Sequence, residues 1–510
     1  MATQPAIMIQ GTASNSGKSL LAAGLCRVFR QDGLRAAPFK SQNMALNSYV
    51  TDAGLEMGRA QVMQAECAGT RPDVRMNPIL LKPTGERRSQ VIVRGEVAGE
   101  MDAREYYAHR TALIPVVREA YESLAADYDV IVLEGAGSPA EINLKENDIV
   151  NMGMAKIARA PVLLVGDIDR GGVFASLAGT RLLLEPEERA MLRGVVINKF
   201  RGDKQLLDPG IAMLEELMEC PVLGVVPWLD DLDVDDEDSL SGRLRAHSGG
   251  VVDVAVLRFP RLSNFTDFVQ MGRLPGVGVR YVSAPRQMGA PDMLILPGTK
   301  STMADLLWLR ECGLDQCVAE QARRGIPVFG VCGGYQMLGR TLRDPHGSEL
   351  GGELPGLGLL PCETTFLPQK RRALVRGHFG PVEGPLAALA GTSFSGYEIH
   401  TGQTNPEGAG GLCVLEPAGG ENGLSAPGPG LEDGMCRGNV YGAYVHGIFD
   451  SAAVSEGIVR ALYAAKGLDA GELCAEDAER HKERQYDRLA GALRKSLDIK
   501  RIYDIVDKGL

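Results

Sequence analysis

"AIMIQGTASNSGKSLLAAGLCRVFRQDG", residues 6–33, decides how the chain folds. The apolar run at its start reads as a buried strand, the small residues after it as a loop. The stretch from Lys18 onward carries apolar residues at helical spacing and closes at Gly33. The same order recurs downstream. "DVIVLEGAG", "APVLLVGDIDRGG", "LRGVVINKF" and "CPVLGVVP" are short apolar strands ending in Gly, Asp, Asn or Pro, with helical stretches between them. Strands of this kind predict a parallel sheet covered on both faces. In such sheets ligands sit beyond the carboxyl ends of the strands, where Glu134, Asp167, Asp169 and Asn198 fall.

A second α/β series follows: "VDVAVLRFP", "DMLILPGTKST", "IPVFGVCGGYQML" and, later, "GNVYGAYVHGIFD". With 510 residues the chain exceeds what one core supports. The fold class is therefore α/β with two doubly wound domains, over 1–229 and 251–454. Between them, seven acids crowd Asp230 to Asp238, and residues 230–250 read as a solvated linker. Residues 455–510 read as a charged helical tail expected to cap the second domain.

The net charge of −11 argues against a nucleic-acid partner, because phosphate backbones need clustered Lys and Arg. No apolar run reaches the roughly 20 residues that span a bilayer, so no membrane partner is expected. The N-terminus lacks the basic region of a secretory signal. Ten cysteines stand scattered, without a CxxC pair, which suggests reduced thiols in a cytoplasm.

The first loop has the composition of a phosphate cradle. Asn15, Ser16 and Gly17 let backbone N–H groups approach phosphate, Lys18 reaches the terminal phosphates, and the Ser19 hydroxyl suits Mg²⁺. The spacing departs from G-x-x-x-x-G-K-[ST], since Thr12 stands where glycine is expected and Gly11 comes one residue early. The order strand, small-residue loop, helix supports an ATP site nonetheless. Glu134, ending a buried strand, is the acid that would complete the metal site. Lys40, in "PFKSQNM", reads either as a second phosphate ligand or as a surface lysine.

Cys332 lies between the strand "IPVFGV" and a helix beginning "GGYQMLG", a strand–turn–helix elbow that presents a nucleophile. A thiol there gains thiolate character from the helix N-terminus. His446, in "AYVHGIF", is the candidate base. The glycine turn in "LPGTKST" offers backbone donors for an oxyanion.

"GVCGGYQMLG" with "YVHGIF" resembles the class I glutamine amidotransferases, whose flavodoxin-like sheet carries a Cys–His pair that releases ammonia from glutamine. Many of them have an acid two residues after the histidine; here Ile448 stands there. Glu398 and His400, in "GYEIHTG", offer no clear replacement. "GTASNSGKS" and "EGAG" resemble the dethiobiotin synthetase-like ATPases. "PFKSQNMALNSYVT", "NPILLKP", "EGAGSPAEINL" and "DIDRGGVFAS" extend the resemblance, from Ala6 to about Phe449, to the cobyric acid synthase family. That resemblance implies a cytoplasmic ligase of cobalamin biosynthesis. Such a ligase uses ATP-Mg²⁺ and glutamine to amidate the b, d, e and g carboxylates of a corrin through acyl phosphates. It implies Cys332 as nucleophile, His446 as base, Lys18 and Ser19 on phosphate and metal, and Glu134 on metal. Asp148 is expected to face substrate or acyl phosphate, and Asp52 and Glu56 are further candidate metal ligands. Two alternatives stay open: a cobyrinic acid a,c-diamide synthase, which "SQNMALNS" argues against, and a partition-type ATPase with an inactive amidotransferase domain. The latter generally has an additional lysine early in the loop, and this loop has none before Lys18.

Overall fold

The computed structural model describes residues 4–84, 88–230, 232–234, 250–408, 411–417, 431–471, 473 and 477–510. The chain forms two units: Met1–Ala45 with Glu56–Ser239 and His481–Leu510, and Leu46–Leu55 with Leu240–Arg480.

The first unit is built on a six-stranded sheet. Its order is Val222–Pro227, Leu192–Phe200, Val162–Asp167, Ala6–Gly11, Val130–Glu134, Ala36–Phe39, with every neighbour parallel. Its central strand, Ala6–Gly11, is buried throughout, which explains why it reads as continuous apolar sequence rather than an alternation. A smaller sheet of Gln42–Met44, Ile79–Pro83, Arg88–Val93 and Glu96–Asp102 adjoins the helix Ala103–His109. Its strands are short and partly exposed, so their pattern was too weak to announce them.

The tail departs from expectation. Residues 481–510 belong to the first unit, not the second. The helix Ala478–Ser496 sets Tyr486, Leu489 and Leu493 into one apolar cluster with Leu21, Leu25 and Phe29 of the helix Lys18–Gln31. Gly24 permits the close approach: a Cβ there would stand 2.3 Å from Leu493 Cδ1. Arg27 anchors the pair, 2.8 Å from both Glu483 and Asp487. The start of the acidic segment is also packed rather than merely solvated. Asp233 lies 3.0 Å from His481, and Val234 is buried. Residues 231 and 235–249 of that segment lie outside the described residues.

The second unit has the sheet order Val277–Val282, Val252–Leu257, Met293–Leu296, Val328–Val331, Val440–Ala443, Met435–Arg437. All pairs are parallel except the last. A second sheet is dominated by the long antiparallel pair Cys362–Phe379 and Ser393–Pro406. No helix among the described residues is long and apolar enough to cross a membrane.

Candidate active sites

The strand Val328–Val331 delivers Cys332 to the N-terminus of the helix Gly333–Leu338. Cys332 holds φ 49°, ψ −107°, a conformation a non-glycine residue keeps only when its surroundings impose it. Here they do. The Cys332 amide donates to Ala443 O at 2.9 Å, and Gln336 N donates back to Cys332 O at 3.0 Å. The glycines allow the helix to sit on the strand ends. A Cβ on Gly334 would stand 1.9 Å from Leu296 O, and one on Gly330 would stand 2.6 Å from Tyr335 N. A Cβ on Gly333 would stand 2.7 Å from Thr299 Cγ2, so both glycines after the thiol are required.

His446 follows the strand Val440–Ala443 and is 1% exposed. Cys332 is near enough for its charge to act on the ring, and the ring's Nδ1 stands 2.7 Å from Asp267 Oδ2. The other Asp267 oxygen accepts from Gly447 N at 3.2 Å. Burial pushes the imidazole pKa down, but the charges and hydrogen bonds of Asp267 and Cys332 outweigh it and raise it to about 10. At neutral pH the ring is therefore an imidazolium, with Nδ1–H donated to the carboxylate. The Gly298 turn adjoins the ring: a Cβ there would lie 2.6 Å from His446 Cε1.

Asp267 was not visible in the sequence. It sits in a single 3₁₀ turn, Phe265–Phe268, 179 positions before His446, and no local pattern marks it. Neither Glu398 nor His400 takes the third place. Glu398 pairs with Arg371 at 2.8 Å, and His400 Nδ1–H donates to Gly402 O at 2.7 Å while the ring stacks on Tyr444. Gln336, also unannounced, accepts from Thr302 Oγ1 at 2.8 Å.

In the first unit, Lys18 and Ser19 open the helix that follows the loop, and Gly17 is left-handed at φ 90°. A Cβ on Gly17 would stand 2.1 Å from Asn198 Nδ2, whose amide donates to Ser16 O at 2.9 Å. Asn15 is itself left-handed, and its carbonyl accepts from Lys199. Lys18 Nζ donates to Ala13 O at 2.9 Å and Gly137 O at 3.2 Å. Buried Glu134 gathers three partners: Ser19 Oγ at 2.8 Å, Lys40 Nζ at 3.0 Å and Gln64 Nε2 at 2.6 Å. Burial would raise its pKa, but the Lys40 charge and these hydrogen bonds hold it below the ordinary value. Lys40 is thus a buried partner of the acid, not a surface lysine.

Asp148 has a different place from the one expected. Its carboxylate accepts from the amides of Val150 at 2.8 Å, Asn151 at 3.1 Å and Gly153 at 2.9 Å, which makes it a turn cap. Glu56 is taken up by Lys82 at 2.8 Å, both buried, and Asp52 is exposed in a segment of the second unit. No group of three or more His, Cys, Asp or Glu side chains among the described residues has a metal-holding arrangement. Ser19 and Glu134 nevertheless juxtapose two buried oxygens of the kind Mg²⁺ prefers.

Residues 7–240 match the CobQ/CobB/MinD/ParA nucleotide binding domain, and residues 253–454 match the CobB/CobQ-like glutamine amidotransferase domain. The cobyric acid synthase of Ruminiclostridium cellulolyticum is 54% identical, over 99% of this chain and 97% of its own. That of Lachnoclostridium phytofermentans is 50% identical, over 99% of each. That of Salmonella typhimurium is 51% identical, over 99% of this chain and 98% of its own.

Proposed function

The chain belongs to the cobyric acid synthase family, and we propose that it amidates the b, d, e and g carboxylates of adenosylcobyrinic acid a,c-diamide with glutamine and ATP. The observation that carries this reading is the Cys332–His446–Asp267 constellation, a full nucleophile–base–acid set in the amidotransferase unit. It also weighs against an inactive amidotransferase domain. The identity along 99% of the chain favours cobyric acid synthase over the a,c-diamide synthase.

In the glutaminase half, the Cys332 sulfur attacks the carboxamide carbon of glutamine. His446 gives its proton to the departing nitrogen, which leaves as ammonia, and a γ-glutamyl thioester remains. His446 then takes a proton from water as the hydroxide oxygen adds to the thioester, and the sulfur departs from the acyl carbon, releasing glutamate and freeing Cys332 for the next turnover. Asp267 fixes the ring so that Nε2 faces sulfur throughout.

In the synthetase half, Lys18 at the head of the loop steadies charge on the γ-phosphoryl group as a corrin carboxylate oxygen attacks phosphorus and ADP leaves. Ammonia adds to the acyl phosphate carbon, phosphate departs, and the amide forms. Ser19 and Glu134 would hold Mg²⁺, which when bound neutralises charge on the phosphate oxygens. Asn15, Ser16 and Gly17 supply the backbone of the cradle, and Lys40 keeps Glu134 ionised. The capping bonds of Asp148 support a role in shaping the loop before residue 152 rather than in meeting the acyl phosphate. A cytoplasmic setting is in keeping with the nine described cysteines, all free thiols.

The test is mass analysis of the product from cobyrinic acid a,c-diamide, ATP, Mg²⁺ and glutamine. Four successive amidations with one ADP each are expected. Arrest after one amide, or ADP far from equality with amide, rejects the assignment.

A further inference from the structure

Residues Leu46–Leu55 belong by packing to the amidotransferase unit, although the sequence on both sides of them belongs to the nucleotide unit. This ten-residue strap reaches the surroundings of all three members of the triad.

Its contact on the acid side is through Asn264. The Asn264 amide donates to Asn47 Oδ1 at 2.7 Å, and Ser48 N donates to Asn264 Oδ1 at 3.4 Å. Asn264 is left-handed, with φ 53° and ψ 45°, and it starts the 3₁₀ turn that carries Asp267. Its carbonyl accepts from the Asp267 amide at 3.1 Å. The exchange with the strap therefore holds the first residue of the turn in a conformation that favours glycine or asparagine.

Its contact on the base side is through Tyr397. The Tyr397 hydroxyl donates to Ser48 O at 3.4 Å, and the Tyr49 ring packs edge-on against Tyr397 with centroids 5.5 Å apart. Tyr397 in turn stacks on the His446 imidazole, with centroids 5.4 Å apart and planes 22° from parallel. The two residues also exchange backbone hydrogen bonds of 3.1 and 2.9 Å.

On the thiol side, Val50 is fully buried in one small cluster with Tyr397 and Ile399. The Ile399 carbonyl lies 3.8 Å from the Cys332 sulfur. Asp267, His446 and Cys332 thus each contact a residue that the strap itself touches.

We infer that Leu46–Leu55 is a positioning element of the glutaminase, with Asn47, Tyr49 and Val50 setting the geometry of the triad without touching glutamine. This rests on the glutaminase reading above. A shift of about 1 Å in a catalytic group costs on the order of 10²-fold in rate, so a strap that fixes Tyr397 and Asn264 controls kcat rather than glutamine binding. In sequence the strap starts six residues after Lys40 and ends beside Glu56.

The experiment compares Tyr49→Ala and Tyr49→Phe in the full-length protein, measuring glutamine hydrolysis and corrin amidation driven by glutamine or by ammonium. In Tyr49→Ala the kcat for glutamine should fall about tenfold or more, its KM should stay, and the ratio of glutamine-driven to ammonium-driven amidation should fall in step. Tyr49→Phe, which keeps the ring against Tyr397, should restore the wild-type values. Wild-type glutamine turnover in Tyr49→Ala overturns the inference, as does an equal fall with both nitrogen sources or a rise in KM alone. Loss in Tyr49→Phe as deep as in Tyr49→Ala overturns the part played by the ring. Cys332→Ala is the control on the premise: glutamine-driven turnover surviving in it would reject the glutaminase reading itself.

Discussion

His446 Nδ1 lies 2.7 Å from Asp267 Oδ2, and the carboxylate's other oxygen is held by the Gly447 amide. The acid therefore grips both the ring and the turn that follows it. It does so from a different strand connection than the His-x-Glu arrangement, in which the acid comes two residues after the base.

Asp267→Asn should lower glutamine-dependent turnover by on the order of 10²-fold or more, because the ring loses the partner that fixes its tautomer and orientation. The same change removes the charge that raises the His446 pKa to about 10. The alkaline limb of kcat/KM for glutamine should accordingly move to lower pH. Steady-state kinetics across pH 6 to about 10 check both. An unmoved alkaline limb would show that Asp267 does not act on His446.

Cys332→Ala should abolish amidation with glutamine while leaving ammonium-driven amidation near wild type, as the proposed role of the thiol in ammonia release alone requires. Parallel assays with the two nitrogen sources decide it. Loss of both in a folded protein contradicts two separable sites.

Lys18→Ala should stop amidation with either nitrogen source, by on the order of 10²-fold or more, as for other charge partners of a transferring group. ADP release in the presence of corrin is the measurement. Near-normal turnover with ammonium would mean that the loop with Thr12 in place of glycine does not bind the reacting phosphates.

Asp433→Asn tests a buried acid at the end of the strand Leu431–Asp433. Burial, and then the negative charge of Glu398, raise the Asp433 pKa from 3.8 to about 7, against the pull of the Tyr444 and Gly434 amides. A folded pKa above the unfolded one gives stability that is full below about 3.8 and lost as pH rises to 7. The wild type should weaken through that window relative to the variant, which keeps an acceptor for Tyr444 N–H. The difference should grow by at most about 1.4 kcal/mol per pH unit. Denaturant melts at pH 4.5, 6 and 7.5 measure it, and a difference that stays flat with pH contradicts the raised pKa.

Local patterns were enough for the elements with strong local signals. The Lys18 loop, the Cys332 elbow and the apolar strands announce themselves because strand burial, glycine clearance and helix onset act within a few residues of one another. Asp267 and Gln64 do not, since each reaches its partner only after the sheets have formed. The charge run before residue 239 also misled in part. Asp233 is acid enough to look solvated, yet it faces His481, nearly 250 positions away. The family resemblance points Asp148 toward substrate or acyl phosphate, and the sequence does not show the three amides that its carboxylate accepts from. The tail reads as part of the nearer domain because sequence offers proximity along the chain, whereas the apolar stripe of Tyr486, Leu489 and Leu493 answers to Leu21, Leu25 and Phe29.

That last pairing sets an order of events during synthesis. The helix Lys18–Gln31 is made before the amidotransferase unit, and the residues of Ala478–Ser496 that cover it are made after that unit. Emerging at roughly 5–20 residues per second, the chain exposes Leu25 and Phe29 for the whole interval in which the amidotransferase unit is made. The nucleotide unit thus completes its core after the unit encoded between its own pieces. A nascent chain stalled before Tyr486 presents an apolar face on the very helix that begins with Lys18 and Ser19, a surface for a chaperone to hold.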